Sequence, residues 1–425
     1  MYLLQWGEAA FVICERNDAV PARRILIIAP TSFFADYGCH VRILEHARGL
    51  AERGHDVTIC TYHSGRDVDG LRIYRTPQIP WRKSAEVGSS WHKLLLDAFL
   101  FVLVLRVALR RRPQLLHAYL HEGALIGAII GWCLRIPLLF DFQGSLTSEI
   151  LDHRFLCESN PMLRPLQRLE RWINRQPAII LANSYHSADL LVRRFAVATE
   201  RIHVVPDCVD TDRFNPLADG LCEDRERLKA DWGIPPETLV IVYLGLLAPY
   251  QGIDLLLNAM QMIQSDPNIH LLIMGFPNVE RYRRLSRELG IANRITFPGV
   301  ISYHEAHRML AAGDIAVGPK ISETEGSGKL LTYMAMGLPT VAFDTPVSRE
   351  YLGDAGVLVP PGDVTAFSRA MMCLARTPDE RTERGAALRR RAIDHFHCTV
   401  ALDAIESAYA RIEHEAGDRV DRRQF

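Results

Sequence analysis

The sequence predicts an α/β protein made of two doubly wound, parallel-sheet domains. Three observations predict it. From Arg24 onward, short apolar runs alternate with amphipathic helical windows. The alternation is broken by a polar stretch carrying Pro206, Pro216, Gly220, Gly233, Pro235 and Pro236, and then resumes. At 425 residues, the chain is long enough for two sizeable cores.

In the first half, residues 25–29 (ILIIA) read as an opening strand and residues 41–50 as the helix after it. Gly54 punctuates before a strand at 57–60, and apolar runs at 71–74, 115–118, 138–142, 179–182 and 202–205 continue the sheet. Helices are predicted at 124–134 and 165–173. In the second half, strands at 240–244, 269–274, 295–297, 315–317, 340–343 and 357–359 alternate with helices near 253–263, 281–289, 304–312 and 330–336. The domains are therefore placed at 23–206 and 207–399, with 1–22 as an extension and the junction at 206–236. Ligands of such sheets lie at the carboxyl ends of the strands, so the expected site is a cleft between the two halves.

Composition excludes several classes. Lys and Arg total 49 against 50 Asp and Glu, a formal net charge of −1, which gives no reason to expect a nucleic-acid binder. The nine cysteines form no CxxC pair, which suits a reducing cytoplasm and offers neither a disulfide framework nor a zinc site. The first twenty residues lack a basic n-region and carry Glu8 and Glu15, so they do not read as a secretory signal. Residues 94–109 are strongly apolar, yet Asp97 and Arg106 interrupt them and they fall short of the roughly 20 residues a spanning helix needs. Arg82, Lys83, Lys93, Arg106, Arg110, Arg111 and Arg112 surround that segment. It reads as a core helix with a basic C-terminal end, or as a peripheral contact with a membrane surface through an apolar face and a basic rim.

The stretch 316–344 carries the most chemistry. An apolar run ends at Val317; Lys320, Glu323 and Glu325 crowd a short loop that closes with Gly326, Ser327, Gly328 and Lys329; a helical run from Leu330 is stopped by Gly337 and Pro339. Glycines let backbone amides approach a ligand, and a helix starting near Lys329 points its positive end at the same place. An anion, most simply a nucleoside diphosphate, is the expected guest.

Four segments, RILIIAPTSFFADYGCHVRILEHARGLAERGHDVTIC, ERIHVVPDCVDTDRF, YLGLLAPYQGIDLLLNAM and TEGSGKLLTYMAMGLPTVA, resemble successive signatures of the retaining GT-B glycosyltransferases of family 4. They occur in that family's order over about residues 23–375. The resemblance implies two Rossmann-like domains, a nucleotide-sugar donor held mainly by the second, an acceptor (a glycan, a lipid-linked molecule or a small molecule) held mainly by the first, and a final helix near 400–413 crossing back to the first. It implies transfer of a sugar from a nucleotide diphosphate sugar with retained configuration, in the cytoplasm or on the inner membrane face, for polysaccharide biosynthesis.

The departures matter as much as the matches. Where the family has Arg after a glycine this chain has Leu246 after Gly245, and where it has Lys before a glycine this chain has Gln251 before Gly252. Diphosphate left without compensating charge in a partly dry cleft costs several kcal/mol, so Lys329, with Lys320 assisting, is expected to replace the missing pair. By resemblance, Glu325 contacts the donor sugar and Thr332 stands in for a ribose-binding glutamate, while Leu330 belongs to the same donor segment. Gly38 stands in the loop after the first strand, followed by Cys39 in place of a second glycine. Gln143 occupies the place of a histidine near the reacting sugar; it cannot titrate and can only hydrogen bond. His117, His121 and Glu122, at one strand edge, are candidates for the acceptor side, His117 also reading as a packed histidine.

Other motifs fail. Asp67 with Asp69 and Asp210 with Asp212 spell DxD, but in polar turns, so no metal is expected. Gly328-Lys329 lacks the remainder of a Walker A loop, and neither GxGxxG after the first strand nor a GxSxG elbow is present. Two other readings stay open: a degenerate relative that binds a nucleotide sugar or a partner without turnover, and a relative of different chemistry such as an epimerase or phosphorylase.

Overall fold

The computed structural model describes residues 21–35, 38–78, 91–152, 156–157, 159–266, 268–322 and 326–421. The N-terminal extension at 1–20, Arg82, Lys83, Glu86, Glu323 and Glu325 lie outside the described residues. The described strands form two parallel sheets. The first holds β1 (Arg24–Ala29), β2 (Asp56–Thr61), β3 (Arg72–Arg75), β4 (Leu115–Tyr119), β5 (Leu138–Phe142), β6 (Ile179–Ala182) and β7 (Ile202–Val204), in the order β3-β2-β1-β4-β5-β6-β7. The second holds β8 (Leu239–Leu246), β9 (Ile269–Phe276), β10 (Ile295–Gly299), β11 (Ile315–Gly318), β12 (Thr340–Phe343) and β13 (Val357–Val359), in the order β10-β9-β8-β11-β12-β13. Strand order reverses at β1/β4 and at β8/β11, which opens a crevice at the carboxyl end of each sheet.

The central strands are mostly apolar because helices cover both faces, with His117 in β4 and Asp141 in β5 as buried polar exceptions. Every residue of β4, β5, β11 and β12 is buried. Register places Gly245 at the end of β8 beside Gly275 of β9. A β-carbon on Gly275 would fall 1.8 Å from the Gly245 carbonyl oxygen, so the two strand ends close on each other only as glycines.

The polar junction contains a helix of its own. Residues Leu221–Asp231 form a helix that buries Leu221 and Leu228, and its Asp224 accepts two hydrogen bonds from Arg308 at 2.6 and 2.8 Å, which ties it to the second domain. The charge-rich helix Pro378–Phe396 leads directly into Cys398–Asp421. The latter lies along the first domain's helix Gly38–Glu52, with Leu402 filling the space left by Gly49. Arg23 pairs with Glu413 at 2.7 Å and His55 Nε2 with Glu406 at 2.9 Å along the same seam.

Near that crossing a carboxylate joins the two halves. Glu350, in the helix Pro346–Leu352, accepts the Tyr185 amide through both oxygens at 3.1 and 3.0 Å, at the start of the first-domain helix Tyr185–Phe195. Burial pushes its carboxyl up to about 7, outweighing the two helix amides and Arg391 that favour the ionised form. An acid whose folded value lies above its ordinary one holds its proton better when folded, so stability falls as pH rises from about 4.5 to about 7 and is level above that. Between those values, Glu350→Gln should flatten the decline in Tm with pH relative to the parent; parallel Tm curves for the two proteins would contradict this assignment.

Candidate active site

The carboxyl ends of both sheets face a single cleft of about 390 Å³. From the second domain it is lined by Leu244, Gly245 and Leu246 at the end of β8, by Tyr250 and Gln251, by Lys320, and by Gly326, Ser327, Gly328, Lys329 and Thr332. From the first domain come Thr31, Gly38, His40 and Tyr62, then His121 and Glu122, then Gln143 and Asn183, and from the chain passage after β7 comes Asp207.

Lys329 organises the second-domain wall. It sits in the first turn of the helix Gly328–Ala335, and its ammonium donates to the Gln251 side-chain oxygen at 2.6 Å and to the Tyr243 hydroxyl at 2.9 Å. The same ammonium lies 4.5 Å from the centre of the Tyr243 ring, a cation–π contact. Gly245 makes this approach available: a β-carbon there would fall 2.9 Å from the Lys329 Nζ. One cation thus reaches both Gly245, at the end of β8, and Gln251. Lys320 is buried and donates to the Gly326 carbonyl at 3.0 Å, so it braces the glycine loop from beneath.

The remaining donor candidates divide. Gly252 turns the chain with φ +75°, and its α-carbon rests against Pro319, where a β-carbon would meet the carbonyl oxygen at 1.8 Å. It sets Gln251 in place rather than facing the cleft. Leu330 is a core residue; its amide donates to the Ser327 carbonyl at 2.9 Å. Thr332 lines the cleft while its hydroxyl donates to the Lys329 carbonyl at 2.7 Å. Glu325 is outside the described residues.

On the opposite wall Gly38 opens the helix Gly38–Glu52 with φ +26° and open space around it. Gln143 follows β5, and its carbonyl accepts from the Asn183 amide group at 3.2 Å. His121 lines the cleft between the edges of Phe140 and Phe142, and burial lowers its basicity. Glu122 pairs with Lys93; burial works against its charge, but Lys93 prevails and holds the carboxyl below its usual range. His117 requires a correction: it does not reach the cleft. It is fully buried, stacked on Tyr119 at 4.6 Å, and its Nδ1 meets the Tyr409 hydroxyl of the returning helix at 2.8 Å. Burial, with Arg42 adding to it, drives it down to about 3, so it is a neutral packing residue.

Sequence reasoning passes over a charged network at the back of the cleft. Arg42 donates to Asp141 at 2.9 Å, to Asp207 at 3.1 Å and to the Val205 carbonyl at 2.8 Å. Burial disfavours its charge, yet Asp141 and Asp207 outweigh burial and keep it firmly ionised. Asp207 also accepts from the Tyr351 hydroxyl at 3.3 Å and reaches the glycine loop, since a β-carbon on Gly326 would fall 2.6 Å from its Oδ2. The signal available in sequence was Asp207 following Pro206 in the VVPDCVD run, with no indication of its partner.

His46, His117 and Asp141 bring ligand-type atoms within 4.8 Å of one another. Both oxygens of Asp141 already accept from Arg42, and a guanidinium at that distance opposes a cation. Asp67 faces Arg75 at 2.7 Å and Asp210 accepts the amides of Asp212 and Arg213, which accounts for these aspartates as turn residues.

Residues 38–213 match the family described as Glycosyltransferase Family 4, and residues 224–391 match Glycosyl transferases group 1. A D-inositol 3-phosphate glycosyltransferase of Corynebacterium diphtheriae is 26% identical over 397 residues, 88% of this chain and 89% of the relative. A 2-deoxystreptamine N-acetyl-D-glucosaminyltransferase of Streptomyces fradiae is 26% identical over 414 residues, 87% of this chain and 93% of that protein. Among solved structures, sucrose-phosphate synthase from Thermosynechococcus elongatus is similar with a TM-score of 0.77 at 18% identity, covering 92% of this chain and 100% of that one. Anabaena HepE in complex with UDP and glucose gives 0.72 at 16% identity, covering 91% and 99%.

The backbone at Gly252 yields a test of this geometry. Gly252→Ala combines left-handed backbone strain with a clash against the Pro319 carbonyl and should cost on the order of 3 kcal/mol in chemical denaturation. Gly233→Ala has φ +65° but nothing within 4 Å, and should cost only about 1 kcal/mol. Equal losses for the two variants would show that the turn before Gln251 is not packed as described.

Proposed function

From the premise that the chain is a glycosyltransferase enzyme of GT-B fold, with a family 4 domain and a group 1 domain, we propose that it moves a sugar from a nucleoside diphosphate sugar to an acceptor hydroxyl with retained configuration. The observation that carries this reading is the Lys329 ammonium, held at 2.6 Å from Gln251 and 2.9 Å from Tyr243 beside Gly245 at the cleft wall. A diphosphate placed there meets one fixed cation, the glycine-loop backbone and the positive end of the helix Gly328–Ala335. The UDP carried by the Anabaena HepE structure supports a diphosphate nucleotide as the guest.

With the diphosphate on the second-domain wall, the sugar extends toward Gln143, Asn183 and Asp207, and the acceptor enters from the side of Gly38, Tyr62, His121 and Glu122. Gln143 serves as a hydrogen-bonding group. The bond from the anomeric carbon to the diphosphate breaks as the acceptor oxygen bonds to that carbon on the same face. The acceptor proton passes to the departing phosphate, so neither a side-chain base nor a covalent enzyme nucleophile is used. Catalysis then rests on placement, exclusion of water and stabilisation of the leaving charge. The nucleoside diphosphate sugar is a co-substrate, and no resident cofactor is invoked. The acceptor is a glycan, a lipid-linked molecule or a small molecule bearing a free hydroxyl.

Thermal shift against uridine, guanosine, adenosine and thymidine diphosphates should name the base, since a ligand of the folded state raises Tm. Lys329→Ala should weaken the responding nucleotide by about tenfold to a hundredfold, the worth of a charge-assisted hydrogen bond, while Lys329→Arg keeps most of the affinity. Undiminished affinity in Lys329→Ala would overturn the site. Incubation with the matching nucleotide sugars and an acceptor panel should yield product of the donor's anomeric configuration; nucleotide-sugar binding without transfer or hydrolysis would support the degenerate binder instead.

A further inference from the structure

The helix Trp91–Arg111 has two apolar faces, and folding uses one of them. Leu96, Leu100, Val104, Val107 and Ala108 are buried against the first sheet. On the other side Leu94 is 63% exposed, Val102 52% and Leu109 57%, and Leu95 and Phe99 are exposed with them. The sequence admits a core helix or a peripheral contact, and the structure has room for both on one helix.

The exposed apolar surface continues along the same helical layer. Helix Trp91–Arg111 packs beside Leu120–Leu134, which packs beside Leu163–Arg175. Their outer faces present Trp132 at 83% exposure and Trp172 at 45%. Charge on this layer has one sign. Arg106, Arg110, Arg135, Arg164, Arg168, Arg171 and Arg175 are its outward charged groups. The acids of these helices are withdrawn: Asp97 accepts from Tyr62, Glu122 pairs with Lys93, and Glu170 is buried and accepts from Thr147.

Apolar residues with tryptophans, set among arginines and without outward carboxylates, match the interface of an anionic bilayer: the apolar groups enter the acyl boundary, the indole rings lie at the headgroups and the guanidinium groups meet lipid phosphate. A second copy of the chain is a poorer occupant, because a two-fold contact would set arginine against arginine. Among the described residues no helix is long and apolar enough to cross a membrane, so contact through this layer lies along the surface.

We propose that the layer formed by residues 91–111, 120–134 and 163–175 docks this protein on an anionic lipid surface. The first turns of helix Trp91–Arg111 also supply Lys93 and Leu96 to the cleft wall, next to Glu122. Leu94 and Leu95, exposed beside these two, carry the docked face to the rim of the acceptor side of the cleft, and the acceptor it serves is membrane-resident; this second half rests on the transfer reading given above, whereas the docking does not.

The test uses the full chain with vesicles and no nucleotide. It should float with vesicles of equal phosphatidylglycerol and phosphatidylcholine, bind those of phosphatidylcholine alone at least tenfold more weakly, and lose much of the anionic binding at high salt. Val102→Asp with Leu109→Asp, and separately Arg106→Glu with Arg110→Glu, should each reduce partitioning at least tenfold without changing Tm or the thermal shift given by a nucleoside diphosphate. No flotation by the parent, equal flotation by the variants, or a dimer in gel filtration that Val102→Asp disperses would each overturn the proposal. Flotation that persists in a protein showing no transfer activity would uphold the docking and sink only its link to the acceptor.

Discussion

A single ammonium group set between two strand ends is the constraint on which the candidate site depends. Lys329 is satisfied from one side by Gln251 and from below by Tyr243, through both the hydroxyl and the ring. That arrangement explains the residues around it. Gly245 must lack a side chain for the ammonium to fit. Gln251 offers an oxygen 2.6 Å from Nζ; a lysine there would set two ammonium groups against each other in a partly dry wall, a repulsion of several kcal/mol. Gly245, Gln251 and Tyr243 therefore form one consistent set with Lys329.

The glycine loop that carries Lys329 is anchored at its other end to the first domain through the chain passage after β7. Gly326 rests on Asp207, and Asp207 is held by Arg42, which is itself buried and held by Asp141 at the end of β5. Removing one partner of such a buried network leaves an uncompensated charge, worth about 3–5 kcal/mol. The loop is thus coupled to the chain passage after β7 as well as to its own sheet. Glu350 and Tyr351 add contacts to Tyr185 and Asn183 nearby. The position of the loop over the cleft is tied to how the domains meet.

Much of the fold is legible in the sequence, for a physical reason. Strands buried on both faces must be continuous apolar runs, so ILIIA at 25–29 and its counterparts can be identified from local pattern alone. Helices are less legible when their apolar stripe is thin. Residues 221–231 are mostly charged, and apart from Leu221 and Leu228 they pack through polar groups, Asp224 with Arg308, Arg225 with Asp314 and Lys229 with the Thr238 carbonyl. The second-domain wall of the cleft is legible because its residues lie within short segments: Gly245, Gln251 and the run Gly326 to Lys329. The back of the cleft is not, since Arg42 meets Asp141 across 99 positions and Asp207 across 165. His117 shows the opposite difficulty. A histidine on this strand reads as a site residue or as a packed one, and Tyr409 and Tyr119 enclose it in the core.

The most direct test of the central claim is a crystal structure with the nucleoside diphosphate that binds best. The account predicts the diphosphate in the cleft between the two sheets, with Lys329 Nζ within hydrogen-bonding distance of a phosphate oxygen and the backbone of Gly326 to Lys329 against the phosphates. A diphosphate held elsewhere, with Lys329 still turned to Gln251 and Tyr243, would contradict it.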